Sequence, residues 1–440
     1  MTQSPPITPS TAPAVPGGPP VAAAAGTPTY RQIFANAEFR SLWIGSALGN
    51  ASSTMTSLTL ALLVNAATGS ALLAALVMFG PSLAQVLGVS TLMSAADTAR
   101  PRRILVVLAV LSTVAVTAQA AFQLPAAARL GLALVVAYGL SIGSGVRWGL
   151  LNDIVAADQF ILGRSAMNLS VGAMQIAGFG IAGLLLQAMS PSTVLWLATA
   201  CSALTIPVIR FGLRDRAPRR GARTSLAETW RGNRRLLSQA RTRPLLLALT
   251  IPNGLIVGCE ALFVPYAGAH AGWLLAAGAA GMLSGDLVVG RFLTRTQRRR
   301  AGQYLRFVLG VPFLAFALDL PLVLLAAAVA LGSCGYAASL AQQEVLVELT
   351  PPDQRGQVLG IESALRMTTF GICAILAGTL ADLTAPAPAI ALFAAASLVA
   401  SVALTVPLSR IMNPTRIGSG HGGCAADERL EAVRATGDPQ

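Results

Sequence analysis

The sequence predicts an all-α integral membrane protein: twelve transmembrane helices in two six-helix bundles, with both chain ends cytoplasmic. Three observations carry that expectation. Of 440 residues, 54% are hydrophobic and only 11% charged, and the mean hydropathy is +0.65; a soluble domain carries roughly 25% charge. So little charge cannot cover a water-facing surface of this size, which makes lipid the main solvent. Apolar runs recur at the length of roughly 20 residues that a helix needs to cross a bilayer. The arginines fall in alternate loops.

In chain order, residues 1–29 form a tail with eight prolines among Ala, Thr and Gly. Such a segment cannot bury a core and is expected to be disordered. It lacks a charged stretch followed by an apolar one, so it does not read as a secretory signal. The first bundle occupies 30–211, with spans near 41–65, 70–95, 104–123, 130–152, 166–189 and 192–211. A basic cytoplasmic connector follows at 212–243. The second bundle, 244–410, has spans near 244–266, 272–293, 303–320, 322–343, 358–381 and 387–410. The ninth span is the weakest, because it is short and interrupted by Pro312 and Asp319. A polar, Gly-rich tail, 411–440, is expected to be mobile. Strand alternation is absent, and helices satisfy their own backbone hydrogen bonds in lipid.

The net charge is +13, and every basic residue is arginine. The connector and its edges carry eleven of them between Arg210 and Arg243, while the opposite loops hold only Arg129. By the positive-inside rule the arginine-rich loops are cytoplasmic. This spread also argues against nucleic acid as a partner, since no single basic domain exists. Six spans, a connector and six spans suggest a parallel repeat of two bundles. Within the connector, Leu226, Trp230, Leu236 and Leu237 lie among arginines. They could form an amphipathic helix on the inner leaflet, or the stretch could be a solvated linker.

Enzymatic and metal chemistry find little support. Five scattered cysteines and two histidines form no CxxC or Cys/His cluster. No P-loop exists, and the chain has no lysine to complete one. No cofactor, no metal and no catalytic residue is expected.

Two loops carry a resemblance. Gly88 to Arg103 holds Gly88, Asp97 and the basic turn Arg100, Arg102, Arg103. It resembles the signature loop of the major facilitator superfamily. Arg147 to Asn168 looks like the matching segment of that superfamily's enterobactin-exporter and macrolide-efflux branch. Pro351-Pro-Asp353-Gln-Arg355-Gly356-Gln-Val358 is similar to the branch's loop before span 11. The resemblance covers roughly 31–410. It implies a monomeric secondary transporter in a bacterial cytoplasmic membrane, exporting an antibiotic, siderophore or other metabolite by proton antiport and alternating access. Uptake of a nutrient by symport, and a membrane scaffold or embedded enzyme, are the alternatives. The glycines of span 5 (Gly178, Gly180, Gly183) stand where many antiporters of the superfamily carry a Gly-Pro run. Phe179 occupies the proline position, and close helix packing also explains them.

Ionisable groups inside spans are costly, by roughly 2.5–3.5 kcal/mol each on insertion scales, and therefore informative. Glu260 lies about 24 Å along span 7. There it could bind a cation or carry a proton, or it could bond a neighbouring helix. Asn50 and Asn253 occupy matching places in spans 1 and 7, and Gln175 is mid-span. These four are the candidate substrate and proton residues. The candidate gate residues are Asp97, Arg100, Arg102, Arg103, Asp286, Arg147 and Arg355. A carboxylate at a span's inner end can bond a helix N-terminus or an arginine and hold a gate shut.

Overall fold

The computed structural model describes residues 29–96, 100–156, 159–218, 242–351 and 354–412. The Pro-rich tail, Asp97, Asp158, the connector stretch 225–240, Asp353 and the Gly-rich tail lie outside the described residues.

The described chain is helical throughout. The first half comprises α1 (Tyr30–Ala35), α2 (Ala37–Thr68), α3 (Ala71–Ala96), α4 (Pro101–Ala121), α5 (Ala126–Leu140), α6 (Gly143–Ile154), α7 (Phe160–Ala188) and α8 (Pro191–Gly212). The second half comprises α9 (Arg243–Ala261), α10 (Phe263–Ala267), α11 (Ala271–Phe292), α12 (Arg295–Gly310), α13 (Leu322–Ser333), α14 (Ala338–Glu348), α15 (Arg355–Leu383), α16 (Pro386–Ala403) and α17 (Thr405–Met412). Three 3₁₀ turns, Gly268–His270, Val311–Ala317 and Cys334–Ala337, interrupt the second half. Proline governs several starts: Pro101, Pro191 and Pro386 sit in the first helical turn, where a missing N–H does no harm.

Among the described residues, ten helices are long and apolar enough to cross a membrane. The expected ninth span is not among them. Its place is taken by α12, which opens on arginines and passes into the 3₁₀ turn that contains Pro312. The stretch 243–292 is broken at Gly268, whose φ of +56° suits a residue without a Cβ. Outward-facing apolar side chains such as Val135, Leu204 and Val323 are exposed, as lipid contact requires.

Within the first half, α8 packs against α2 and α4, and α3 against α5. Within the second, α9 packs against α15 and α16, and α11 against α13. The halves meet along two seams, α3 with α15 and α7 with α11. One end of the molecule carries Arg100–Arg103, Arg295–Arg300 and both described termini; we term it basal. The opposite, apical end carries the turns at Gly69 and Gly268.

Both seams are tight apically. On the α7–α11 seam, a Cβ on Gly272 would lie 2.5 Å from the Gly183 Cα and 2.7 Å from the Phe179 carbonyl oxygen. On the α3–α15 seam, a Cβ on Gly378 would lie 2.6 Å from the Leu72 Cα. Toward the basal end the contact fades. Gly290 and Gly360 have no neighbour within 4 Å of a built Cβ, and Leu87, Leu169 and Leu287 are exposed. The cores repeat this asymmetry. Two clusters join the halves on the apical side, a large one from Leu58 and Ala182 to Phe263, Phe313 and Ile390 and a small one of Ala75, Ala261 and Ala374. Among the described residues, the basal core is two separate clusters, one around Phe39, Leu105 and Leu151, the other around Leu245, Val345 and Leu408.

Candidate functional site

A cavity of about 350 Å³ lies inside the first half, walled by α2, α3, α4, α5, α6 and α8. Its polar wall begins in the sequence of α2. Ser46, Asn50, Ser53 and Ser57 recur at i, i+4, i+7 and i+11, so they share one helix face, and all four line the cavity. Of these, sequence reasoning singles out Asn50 alone, although the helical periodicity is the signal that could have found the others. Arg147, on α6, lines the same cavity. The sequence places it in a gate, but the structure gives its half-buried guanidinium no ion pair or hydrogen bond among the described residues.

Glu260 sits in the second half, near the end of α9. The Tyr336 hydroxyl donates to its Oε1 at 3.2 Å. Tyr336 belongs to the 3₁₀ turn Cys334–Ala337, which separates α13 from α14. A tightened stretch inside a spanning segment re-aims its side chains, and such stretches often mark functional hinges. Nothing in the sequence around Tyr336 announces that turn, so the pairing is not legible there. No cation lies within salt-bridge distance of Glu260 among the described residues. An unpaired carboxylate inside a span is costly, and a proton or a bound cation would relieve that cost.

Asn253 does not mirror Asn50 in its surroundings. It is buried, and its Nδ2 donates to the Leu249 carbonyl at 2.9 Å and the Ser339 Oγ at 3.1 Å, tying α9 to α14. Gln175 is half-buried on α7 and is not part of the cavity wall.

The basal gate candidates pair within halves. Arg100 and Arg102 reach Asp215 at 2.5 and 3.4 Å, and Arg216 pairs with Glu38. Arg103 is exposed. In the second half, Arg295 and Arg299 pair with Glu348, and Arg295 also reaches Glu344 at 2.9 Å. Arg366 pairs with Glu362 one turn away at 3.1 Å. Arg355 donates to the Thr350 carbonyl at 3.4 Å. Asp286 is exposed on α11 and makes no ion pair among the described residues. Each of these basal ion pairs either stays within one half or ties the start of the connector, Asp215 and Arg216, to the first half; none joins the two halves.

At the apical end one carboxylate does cross. Asp382, near the end of α15, accepts from the Ser70 hydroxyl at 2.7 Å, from the Ala71 amide at 2.6 Å and from the Leu72 amide at 3.3 Å. The two amides are orphan donors of the first turn of α3, and the helix dipole favours a negative charge there. Sequence reasoning seeks such a latch at the inner end of span 2 and misses this one, because its donors lie about 310 residues away. Asp382→Ala removes every acceptor. With hydrogen bonds to charged groups worth about 1.5–3 kcal/mol before solvent screening, we expect a net loss of about 1–2 kcal/mol of apical closure. That is about a five- to thirtyfold shift toward an apically open state. Pulsed electron spin resonance between labels at Ala67 and Leu376 should show a longer apical distance. An unchanged distance distribution would remove the latch role.

By sequence the chain matches no protein-family model and no curated protein. Its fold, however, matches solved transporters along most of its length. The nucleoside transporter NupG aligns with a TM-score of 0.68 at 14% identity, covering 84% of this chain and 98% of that one. A POT family transporter aligns at 0.67 and 10% identity, covering 85% and 96%. A bacterial homologue of the human lysosomal transporter Spinster, in an inward-facing and unoccupied conformation, aligns at 0.63 and 14% identity, covering 85% and 95%. At such identities the likeness establishes a shared fold.

Proposed function

We propose that this protein is a secondary active transporter that exports a small molecule across a bacterial cytoplasmic membrane by proton antiport and alternating access. The observation that carries this reading is the asymmetry of the two seams. Among the described residues, the halves share buried clusters apically and have separate ones basally. That is the geometry of a rocking pair of bundles with its path open on one side only.

On this reading the chain crosses the bilayer twelve times. As one helix, the 50 residues of Arg243–Phe292 would run about 75 Å, more than twice the hydrocarbon thickness of about 30 Å. The break at Gly268 makes them two crossings. α12 with its 3₁₀ extension supplies the ninth, its arginines lying at the headgroups. The arginine-rich basal end is cytoplasmic, so the conformation is inward-open. Glu260, with Tyr336 beside it, is the proton carrier, and the cavity beside Asn50 is the substrate site. Export, in place of uptake, rests on the loop resemblance to the enterobactin-exporter and macrolide-efflux branch.

Inverted vesicles with an acidic lumen test this. A gradient of one pH unit is worth about 1.4 kcal/mol per proton, enough for about tenfold accumulation at one-to-one exchange. Accumulation of a compound from a broad metabolite panel, collapsed by a protonophore, is the expected result. Gradient-driven loss of the compound from the vesicles would reverse the direction. No movement of any compound in either direction would sink the reading.

A further inference from the structure

We infer that the cavity of the first half is an oxyanion site, so that the solute carried is a small organic anion whose carboxylate or phosphate is held by Arg147. Only the transport of that anion rests on the transporter reading; the site itself stands on geometry. Among the described residues, Arg147 is the single charged one in the cavity wall. Its guanidinium offers five donors, none of which finds a hydrogen bond or ion pair among the described residues. Near the basal end of this half, Arg100, Arg102 and Arg216 each have a carboxylate, and Arg103 is exposed. A half-buried arginine without a counter-charge keeps its charge available to an anion, and its planar fork suits a two-oxygen partner.

Ser46 is a second, independent observation. It is 7% exposed, it lines the same cavity, and its Oγ has no hydrogen-bond partner. The Thr56 Oγ1, deeper on the same helix and also in the wall, is equally unsatisfied. Buried polar atoms are nearly always partnered, so two hydroxyls without a partner among the described residues, both on residues of one cavity wall, point to a polar occupant. Levels along the helices agree. Ser46 lies nine residues into α2, about 14 Å from its basal start, and Arg147 lies seven residues before the basal end of α6, about 10 Å. The acid group would therefore meet Arg147 and Ser46 near the basal mouth. Asn50, Ser53 and Thr56 would meet the polar body of the solute above it. A cavity of about 350 Å³ is at the small end of ligand sites.

The test is equilibrium binding to the full chain in phosphatidylcholine nanodiscs, with no gradient present. The probes are matched sets: benzoate, hippurate and phenyl phosphate against benzamide, benzyl alcohol and benzylamine. We expect at least one anion to bind saturably and to raise the thermal unfolding midpoint, while its neutral and cationic counterparts do neither. Arg147→Gln should weaken that binding at least tenfold, Arg147→Lys, which keeps the charge but not the fork, should recover only part of it, and Ser46→Ala should cost a few-fold. Absence of binding by every anion, equal binding of the neutral set, or full binding by folded Arg147→Gln overturns the inference. If phosphatidylglycerol added to the nanodiscs displaces the probe, the occupant is a lipid headgroup and the solute assignment falls. Intact binding without transport in vesicles would sink the transporter reading and leave the oxyanion site standing.

Discussion

Glu260→Gln is expected to abolish gradient-driven accumulation while leaving gradient-independent substrate exchange intact. The substitution preserves shape and an oxygen that can accept from the Tyr336 hydroxyl, which lies 3.2 Å from Oε1. What it removes is the ability to take up and release a proton. A coupled transporter without its proton carrier can still rock with substrate bound, so counterflow should persist at near the original rate while accumulation falls to the level of empty vesicles. For a one-unit gradient that is a loss of about tenfold in the final ratio. Tyr336→Phe leaves the carboxylate but removes its donor. It should retain accumulation with an altered pH profile, because hydrogen bonding to the charged form is one of the three influences on a carboxylate's titration. The comparison is decisive in proteoliposomes: equal accumulation and an unchanged pH profile in Glu260→Gln would strip Glu260 of its coupling role.

Gly272→Leu is expected to have an effect of similar size on a different property, the position of the conformational equilibrium. A Cβ alone at Gly272 would stand 2.5 Å from the Gly183 Cα and 2.7 Å from the Phe179 oxygen, and backbone cannot move aside as a flexible side chain can. Overpacking of this kind costs about 1–3 kcal/mol, or about a five- to 150-fold loss of the apically closed state. Spin labels at Met189 and Trp273 should move apart, and labels at Leu169 and Leu287 should move together. Gly272→Ala should give the same displacement in smaller measure, which separates a wedge from a failure to fold. Gly131→Leu, at a glycine with nothing within 4 Å, should leave both distances alone. If the apical distance in Gly272→Ala and Gly272→Leu matches the unsubstituted protein, the closed apical seam is not what holds the halves in this state.

Much of the layout is legible because it is written in short-range chemistry. Eleven of the twelve expected apolar runs overlap the ten long apolar helices, since Arg243–Phe292 contains most of two of them on either side of Gly268, although the last run outlasts Pro386–Ala403. The weak ninth run leaves regular α-helix in the turn that holds Pro312, as the tenth does at Cys334–Ala337. Arg147 and Asn50 are both legible as candidates, but not as neighbours of one cavity, and the sequence puts Arg147 in a gate. Asp382 is not legible at all. A carboxylate four residues before Pro386 reads as an ordinary helix end until the first turn of α3 is known to lie against it. The same holds for Tyr336, whose direction depends on a 3₁₀ turn held by close packing of Gly335 against the Leu309 backbone.

The sequence by itself determined the apolar solvent and the helical content, because hydropathy acts residue by residue. The tertiary structure decided which end of the two seams is closed, that Asp382 bridges the α3–α15 seam there, and that Arg147 lines a cavity. Those outcomes depend on pairs of groups brought together from distant parts of the chain. Lipid gives apolar helices no preference among neighbours, so only packing of small residues and the few polar contacts choose the arrangement.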